Sequence, residues 1–193
     1  MVESVSELVG KARSAQAVFE RSNQAAVDEA VCALAWVIME PGRNRALSEQ
    51  AVADTGLGVA EDKILKNHRK TLGLLRDLDG QPSVGVIAEY PQLGITEIAR
   101  PVGVVAAVTP STNPVATPTN KVINAVKGCN AVILAPSPKA DATCVRLVNY
   151  FRSALVETGA PADLVQKLSL IHISEPTRRY AIWVGGVCGE KKS

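Results

Sequence analysis

The chain has 193 residues, which is enough for one domain or a domain and a half. Hydrophobic residues make up 47% and charged residues 21%, values typical of a globular protein rather than of a disordered chain. Lys and Arg number 21 against 19 Asp and Glu, and the net charge of +2 gives no reason to expect nucleic acid or an anionic membrane as a partner.

The four cysteines show no CxxC spacing and no paired framework; they are Cys32, Cys129, Cys144 and Cys188. Because no secretory segment is visible either, the pattern predicts a reducing, cytoplasmic location. The sequence contains no run of about 18 apolar residues, so no membrane-spanning helix is predicted. Cys32 and Cys144 fall in predicted helices and are expected to fill the core. No group of His, Cys, Asp or Glu has the spacing of a metal site.

Residues 1–80 predict four helices, because apolar residues recur there at helical spacing. The helices begin near Ser4, near Gln24, after Gly42 and near Ala60. Residues 81–101 then predict a β-hairpin. Its strands are Gly85 to Glu89 and Ile95 to Ala99, joined by a turn at Pro91.

From residue 102 the pattern alternates between strands and helices. Val102 to Val108 is nearly all apolar or small, which predicts a strand buried on both faces. A second buried strand is predicted at Ala131 to Ala135, and a third begins at Leu164-Val165. Helices are predicted from about Pro114 to Lys127 and from Ala140 to Glu157. The fold class is therefore α/β, with N-terminal helices followed by the start of a Rossmann-like parallel sheet.

The candidate site is the turn that follows the first parallel strand, together with the loop that follows the second. In α/β sheets, ligands bind at the carboxyl ends of the strands, and a helix N-terminus offers N–H groups to polar or anionic ligands. From the residues alone, cofactor contact and an ordinary capped turn are equally supported. The candidate cofactor-binding residues are Thr109, Pro110, Ser111, Thr112, Asn113, Pro136, Ser137 and Pro138.

Several segments carry a family resemblance in a consistent order. They are Thr55-Gly56-Leu57-Gly58, Arg100 to Pro114, Lys127 to Ile133, Ala135 to Ala140 and Gly159-Ala160-Pro161. Together they resemble the aldehyde dehydrogenase superfamily over residues 3–167. The form Pro-Ser-Thr-Asn-Pro at 110–114 is similar to the CoA-acylating branch of that superfamily.

The resemblance implies an aldehyde dehydrogenase-like fold and an enzyme longer than this chain. In the parent, a cysteine thiolate attacks a small aldehyde, a hydride passes to NAD or NADP, and coenzyme A resolves the thioester to acyl-CoA. The resemblance places the catalytic cysteine beyond residue 167, so the chain itself is expected to be inactive. It also implies that 1–80 and 102–167 belong to the NAD(P)-binding domain, whereas 81–101 belongs to an oligomerisation extension of a homo-oligomeric parent.

Asn113 is a candidate for the amide that donates to an oxyanion on the attacked aldehyde. Aligned without a gap, however, the Asn that has this role in the non-acylating branch falls on Thr112. Shaping of the turn by its backbone is therefore the favoured role of Asn113.

Residues 168–193 are interpreted as translated sequencing-adapter DNA rather than natural protein, because Leu168 to Arg178 match the in-frame translation of a transposase adapter. The alternative is a natural irregular C-terminus. Under the adapter interpretation His172, Trp183 and Cys188 have no functional role.

Two other functions remain open at this stage. The parent is alternatively a non-acylating, hydrolytic aldehyde dehydrogenase, or the chain is a stand-alone nucleotide-binding or interaction module. The residues do not decide which aldehyde is used, or whether the cofactor is NAD or NADP.

Overall fold

The computed structural model describes residues 4–168 and has the predicted α/β architecture. The α-helices are α1 (Val5–Phe19), α2 (Gln24–Met39), α3 (Pro41–Thr55), α4 (Ala60–Leu78), α5 (Ala116–Lys127) and α6 (Asp141–Glu157). The strands are β1 (Gly85–Tyr90), β2 (Ile95–Ala99), β3 (Val104–Thr109), β4 (Ala131–Pro136) and β5 (Val165–Lys167). Residues 169–193, which hold most of the adapter-like sequence, lie outside the described part.

The strands form two sheets, as the sequence predicted. β1 and β2 pair as an antiparallel hairpin. β3, β4 and β5 form a parallel sheet in that order, with α5 and α6 as the connections between successive strands. α1 packs across the three parallel strands, and α2 packs against α5 and α6. The core therefore extends from the sheet through α5 and α6 to α2, with Leu34, Ile38, Leu134 and Leu155 fully buried within it.

The junction between α2 and α3 is tighter than a loop. Pro41 is the first residue of α3, where a missing N–H has no helical partner to lose. The Glu40 carboxylate accepts hydrogen bonds from the backbone N–H groups of Gly42 and Arg43, at 2.8 and 2.6 Å. These two hydrogen bonds lower the pKa of the Glu40 carboxyl below its usual value. α3 therefore begins at Pro41, only two residues after the last residue of α2.

The expectation that the first parallel strand is buried on both faces is wrong. In β3, the side chains of Ala106 and Val108 are exposed, and Val108 keeps 73% of its surface. β3 pairs only with β4 among the described residues, so one of its edges is open. β4 lies between two neighbours, and five of its six residues are buried. α1 and α5, which pack on the sheet, both contact β4 more extensively than β3, and apolar composition alone does not show this difference.

β3 also begins two residues later than predicted, at Val104. The Asn130 Oδ1 accepts hydrogen bonds from the N–H groups of Val102 and Gly103, at 2.7 and 2.9 Å. Gly103 has φ 105°, a backbone conformation that favours glycine and that breaks the extended path. The N–H groups of residues 102 and 103 thus bind the Asn130 side chain, whereas the Gly103 carbonyl accepts from the Ala131 N–H at the start of β4, at 2.9 Å.

One of the two cysteines predicted to fill the core does not. Cys144 is 1% exposed on α6, as expected, but Cys32 lies on an exposed position of α2. Cys129, just before β4, is also buried. In residues 4–168 no helix combines the length and the apolar character needed to cross a membrane.

Candidate functional site

The two candidate loops meet at one edge of the parallel sheet. Thr109 is paired with Pro136 at the ends of β3 and β4. The Ser137 N–H donates a hydrogen bond to the Thr109 carbonyl at 3.0 Å, which ties the second loop to the first. The structure therefore brings together the two sets of residues that the sequence singled out.

The candidate residues differ in how far a ligand can reach them. Thr109 and Pro136 are buried and act as the base of the site. The half-buried residues are Ser111, Asn113 and Ser137, and the exposed ones are Pro110, Thr112 and Pro138. A ligand at this edge would therefore meet the hydroxyl groups of Ser111, Thr112 and Ser137 and the amide group of Asn113.

The first turn of α5 offers fewer N–H groups than the sequence predicted. The helix begins at Ala116 rather than at Pro114. The Thr117 N–H already donates to the Asn113 carbonyl at 3.4 Å, and Pro118 has no N–H to donate. A free helix N-terminus is therefore a minor feature of this site, and positive charge comes from another element.

That charge comes from lysines on α4, which sequence reasoning missed. The Lys66 Nζ donates to the Asn113 Oδ1 at 2.8 Å, and the Lys63 Nζ donates to the Thr112 carbonyl at 3.3 Å. Lys63, Lys66 and Lys70 recur at the three- and four-residue spacing that places side chains on one helix face. That spacing was the available signal, but it does not show which turn the face contacts.

The contact with Lys66 also fixes the orientation of the Asn113 amide. An ammonium group can only donate, so the atom that faces it is the amide oxygen. The two Nδ2 hydrogens of Asn113 then remain for another acceptor. This arrangement suits an amide that donates to a ligand oxygen, whereas the Asn113 carbonyl shapes the turn by accepting from the Thr117 N–H.

A cavity of about 320 Å³ lies between α4 and α5, beside the turn. We call it the lysine pocket; it is lined by Lys66, Lys70, Asn113, Ala116, Thr117, Asn120, Lys121 and Asn124. The Lys121 Nζ donates to the Val108 carbonyl at 2.9 Å. Within residues 4–168, none of the three lining lysines forms an ion pair with a carboxylate.

Burial and positive charge both act on the neighbouring Lys63. Partial burial lowers the pKa of its ammonium group, and repulsion from Lys66 lowers it further. Cations are therefore crowded at this face of α4, which favours an anionic ligand.

α4 is held in register with α3 by a buried polar network. The Asn67 Nδ2 donates to the Asn44 Oδ1 at 2.9 Å and to the Ser48 Oγ at 3.1 Å. The Asn44 Nδ2 in turn donates to the Ile64 carbonyl at 3.1 Å. Because Asn67 follows Lys66 directly, this network sets where the lysine face lies relative to the turn.

None of the cysteines in residues 4–168 lines the lysine pocket. Burial raises the pKa of the Cys144 thiol to about 12, and it also raises the pKa of the Cys129 thiol. Both thiols are therefore poor nucleophiles near neutral pH. Nor does any group of three His, Cys, Asp or Glu side chains within the described residues form a candidate metal site.

Comparison with known proteins places this geometry in context. The model of the aldehyde dehydrogenase family matches residues 2–170. The chain is 64% identical over 166 residues to sulfoacetaldehyde dehydrogenase (acylating) from Cupriavidus necator, a match over 86% of this chain and 34% of that protein. It is 38% identical over 163 residues to succinate-semialdehyde dehydrogenase (acetylating) from Clostridium kluyveri, over 84% and 36%. The chain thus spans about a third of the length of these relatives.

Solved structures agree. An acetylating aldehyde dehydrogenase from Geobacillus thermoglucosidasius superposes with a TM-score of 0.81 at 32% identity, covering 84% of this chain and 36% of that one. A propionaldehyde dehydrogenase from Rhodopseudomonas palustris with bound CoA gives a TM-score of 0.75 at 26% identity, covering 86% and 37%.

Proposed function

Because this chain belongs to the aldehyde dehydrogenase family, we propose that it is the N-terminal part of a CoA-acylating aldehyde dehydrogenase. The overall reaction is aldehyde, CoA and NAD(P)+ to acyl-CoA, NAD(P)H and a proton. The observation that carries the proposal is the turn at 109–113, whose acylating-type sequence lies at the ligand-binding edge of the sheet beside the loop at 136–138.

The residues at this edge fit a dinucleotide. Hydroxyl groups of Ser111, Thr112 and Ser137 are accessible, and the ammonium group of Lys63 beside Thr112 suits the pyrophosphate. We propose that these residues, with Asn113, hold part of NAD(P). When bound, the cofactor supplies the acceptor for the hydride of the aldehyde. The chain's own contribution is to position that ligand and to direct the Asn113 amide donors toward an oxygen atom of a bound ligand.

The chemistry also needs a reactive thiol, and the described cysteines are either buried or away from the turn. We propose that the nucleophile belongs to a part of the natural enzyme outside this chain. The purified chain should then form no NAD(P)H from aldehyde, CoA and NAD(P)+. The protein from the intact gene should form NAD(P)H and acyl-CoA, with turnover that requires CoA. Activity of the chain alone would contradict the proposal, and release of a free acid without CoA would indicate a hydrolytic enzyme instead.

The hairpin supports a homo-oligomeric parent. Its large apolar side chains are exposed in the single chain, with Leu93 at 70%, Val86 at 53% and Ile98 at 52%. Clustered apolar exposure of this kind is typical of a surface that another subunit covers. Light scattering on the intact enzyme should give a mass above one subunit, and Leu93→Glu should lower it. A monomeric intact enzyme would contradict this part of the proposal.

The adapter interpretation of residues 168–193 is kept as a proposal as well. The family model stops matching at residue 170, close to the start of the adapter-like sequence. Sequencing of the source genomic DNA should replace this segment with coding sequence for the rest of an aldehyde dehydrogenase. Genomic DNA that encodes the same 26 residues after Lys167 would contradict it.

A further inference from the structure

We propose that the lysine pocket binds the anionic end of the substrate aldehyde, a sulfonate or a carboxylate. This inference rests on the proposed function and names the class of aldehyde that the enzyme accepts. The pocket adjoins the turn directly, since Asn113 belongs to both. An aldehyde anchored there by its charged end would keep its carbonyl group on the side of the Asn113 amide.

Charge is the first argument. Lys66, Lys70 and Lys121 contribute three ammonium groups to one cavity, and none of them is neutralised by a carboxylate within residues 4–168. Lys66 and Lys121 donate to neutral oxygens, the Asn113 Oδ1 and the Val108 carbonyl. A concave site with unpaired cations concentrates anions.

The neutral lining is the second argument. Thr117, Asn120 and Asn124 add a hydroxyl and two amides, so the wall of the pocket is polar. The Asn120 Oδ1 is buried and has no hydrogen-bond partner among the described residues. Buried acceptors are normally paired, and a ligand or an ordered water is the usual partner when the protein supplies none. Because a sulfonate or a carboxylate can only accept hydrogen bonds, an ordered water would be the partner of the Asn120 Oδ1, whereas the Nδ2 group of the same amide can donate to the anion.

Size and chemistry of the related substrates are the third argument. A cavity of about 320 Å³ suits a small molecule rather than a whole cofactor. The relatives are named for sulfoacetaldehyde and succinate semialdehyde, and each of these aldehydes carries one anionic group at the end opposite the carbonyl. A phosphate of CoA is the other possible anion, and the kinetic comparison below separates the two.

Lys70 is the residue of choice for the test, because Lys66 and Lys121 also hold backbone or side-chain atoms of the site. In the intact enzyme, kcat/KM is measured for sulfoacetaldehyde, succinate semialdehyde and propionaldehyde with CoA and NAD(P)+ at fixed concentrations. Lys70→Met should lower the ratio of kcat/KM for the anionic aldehydes over propionaldehyde by about 10-fold or more, the scale of one lost charged hydrogen bond. Lys70→Arg should restore most of the ratio.

Arg146→Met serves as the matched control, since it removes an exposed positive charge from α6, outside the pocket. The ratio should not change in that variant. An equal loss for all three aldehydes in Lys70→Met would overturn the inference and point to a CoA phosphate. An unchanged ratio would overturn it too. Absence of acyl-CoA from every aldehyde with the unmutated enzyme would instead contradict the proposed function.

A second measurement needs no activity and uses the chain itself. Isethionate, a stable sulfonate of similar size to sulfoacetaldehyde, is titrated against isotope-labelled chain and followed by NMR. Backbone amide signals of Lys70, Thr117 and Asn120 should shift saturably, and Lys70→Met should abolish the saturation whereas Arg146→Met should not. Linear shifts identical to those in sodium chloride would overturn the inference.

Discussion

β3 and β4 are neighbours with similar apolar composition, yet their surroundings differ. β4 lies between two strands, and Val132 and Leu134 are fully buried in it. β3 lies at the edge, and Val108 projects into solvent although the segment is as apolar as its partner. In this chain, which spans about a third of its relatives' length, β4 belongs to the buried core whereas β3 keeps an open edge and exposed side chains. The candidate turn lies at the carboxyl end of β3, where α/β sheets bind ligands.

The largest expected effect is a difference in the free energy of unfolding between substitutions in β4 and in β3. Leu134→Ala removes a fully buried side chain from β4, and it should lower the free energy of unfolding by about 3 kcal/mol because a cavity remains. Val108→Ala on β3 should change it by less than about 0.5 kcal/mol, since the side chain is already exposed. Urea unfolding followed by circular dichroism measures both. Similar costs would mean that β3 is covered in solution.

A second prediction concerns the side chain that joins the start of β3 to the loop before β4. Asn130 accepts from two backbone N–H groups, and its amide donates to the carbonyls of Ala125 and Gly128 at 3.3 and 2.9 Å. Asn130→Ala removes all four hydrogen bonds and should cost about 2 kcal/mol. Asn149→Ala, on an exposed position of α6, is the control and should cost under about 0.5 kcal/mol.

Local patterns account for the part of this fold that sequence predicted well. α2 has the predicted bounds, because its apolar residues repeat at helical spacing between Asn23 and Glu40. The predicted start of α1 near Ser4 is also confirmed, and a capping box forms there, with the Ser4 Oγ accepting from the Glu7 N–H at 3.2 Å. These features depend on residues three or four positions apart, so a single chain segment contains the whole signal.

Contacts between distant segments account for what sequence reasoning missed. The Lys66 contact with Asn113 spans 47 positions, and no local pattern reports it. The exposure of Val108 likewise follows from which elements pack on the faces of β3 rather than from the sequence of β3 itself. Residues of the turn were identifiable because a polar turn after an apolar strand is a local feature, whereas the lysine pocket exists only once α4 has packed against α5.

A third prediction tests whether ligand binding in the lysine pocket depends on the polar network that holds α4 against α3. Asn67→Ala breaks its hydrogen bonds to Asn44 and Ser48 and should cost about 1 to 2 kcal/mol of unfolding free energy. Since Asn67 is buried and does not line the lysine pocket, any weakening of isethionate binding must come from displacement of α4. NMR shifts at Lys70 should then saturate at higher isethionate concentration. Tight binding with reduced stability would show that contacts of α4 other than this network hold Lys66 and Lys70 at the pocket.

The smallest expected effect concerns the cysteines, because Cys144 is buried whereas Cys32 is exposed. Burial raises the pKa of the Cys144 thiol to about 12 in the folded chain, whereas in the unfolded chain the thiol has the ordinary pKa of a cysteine. Between these values the folded state binds more protons, so raising the pH through this window should lower stability, by about 1 kcal/mol near pH 10. Cys144→Ala should reduce that loss measurably in urea titrations at about pH 8 and pH 10. Iodoacetamide should meanwhile label the exposed Cys32 before Cys144, and labelling of Cys144 at the same rate would contradict its burial in the folded chain.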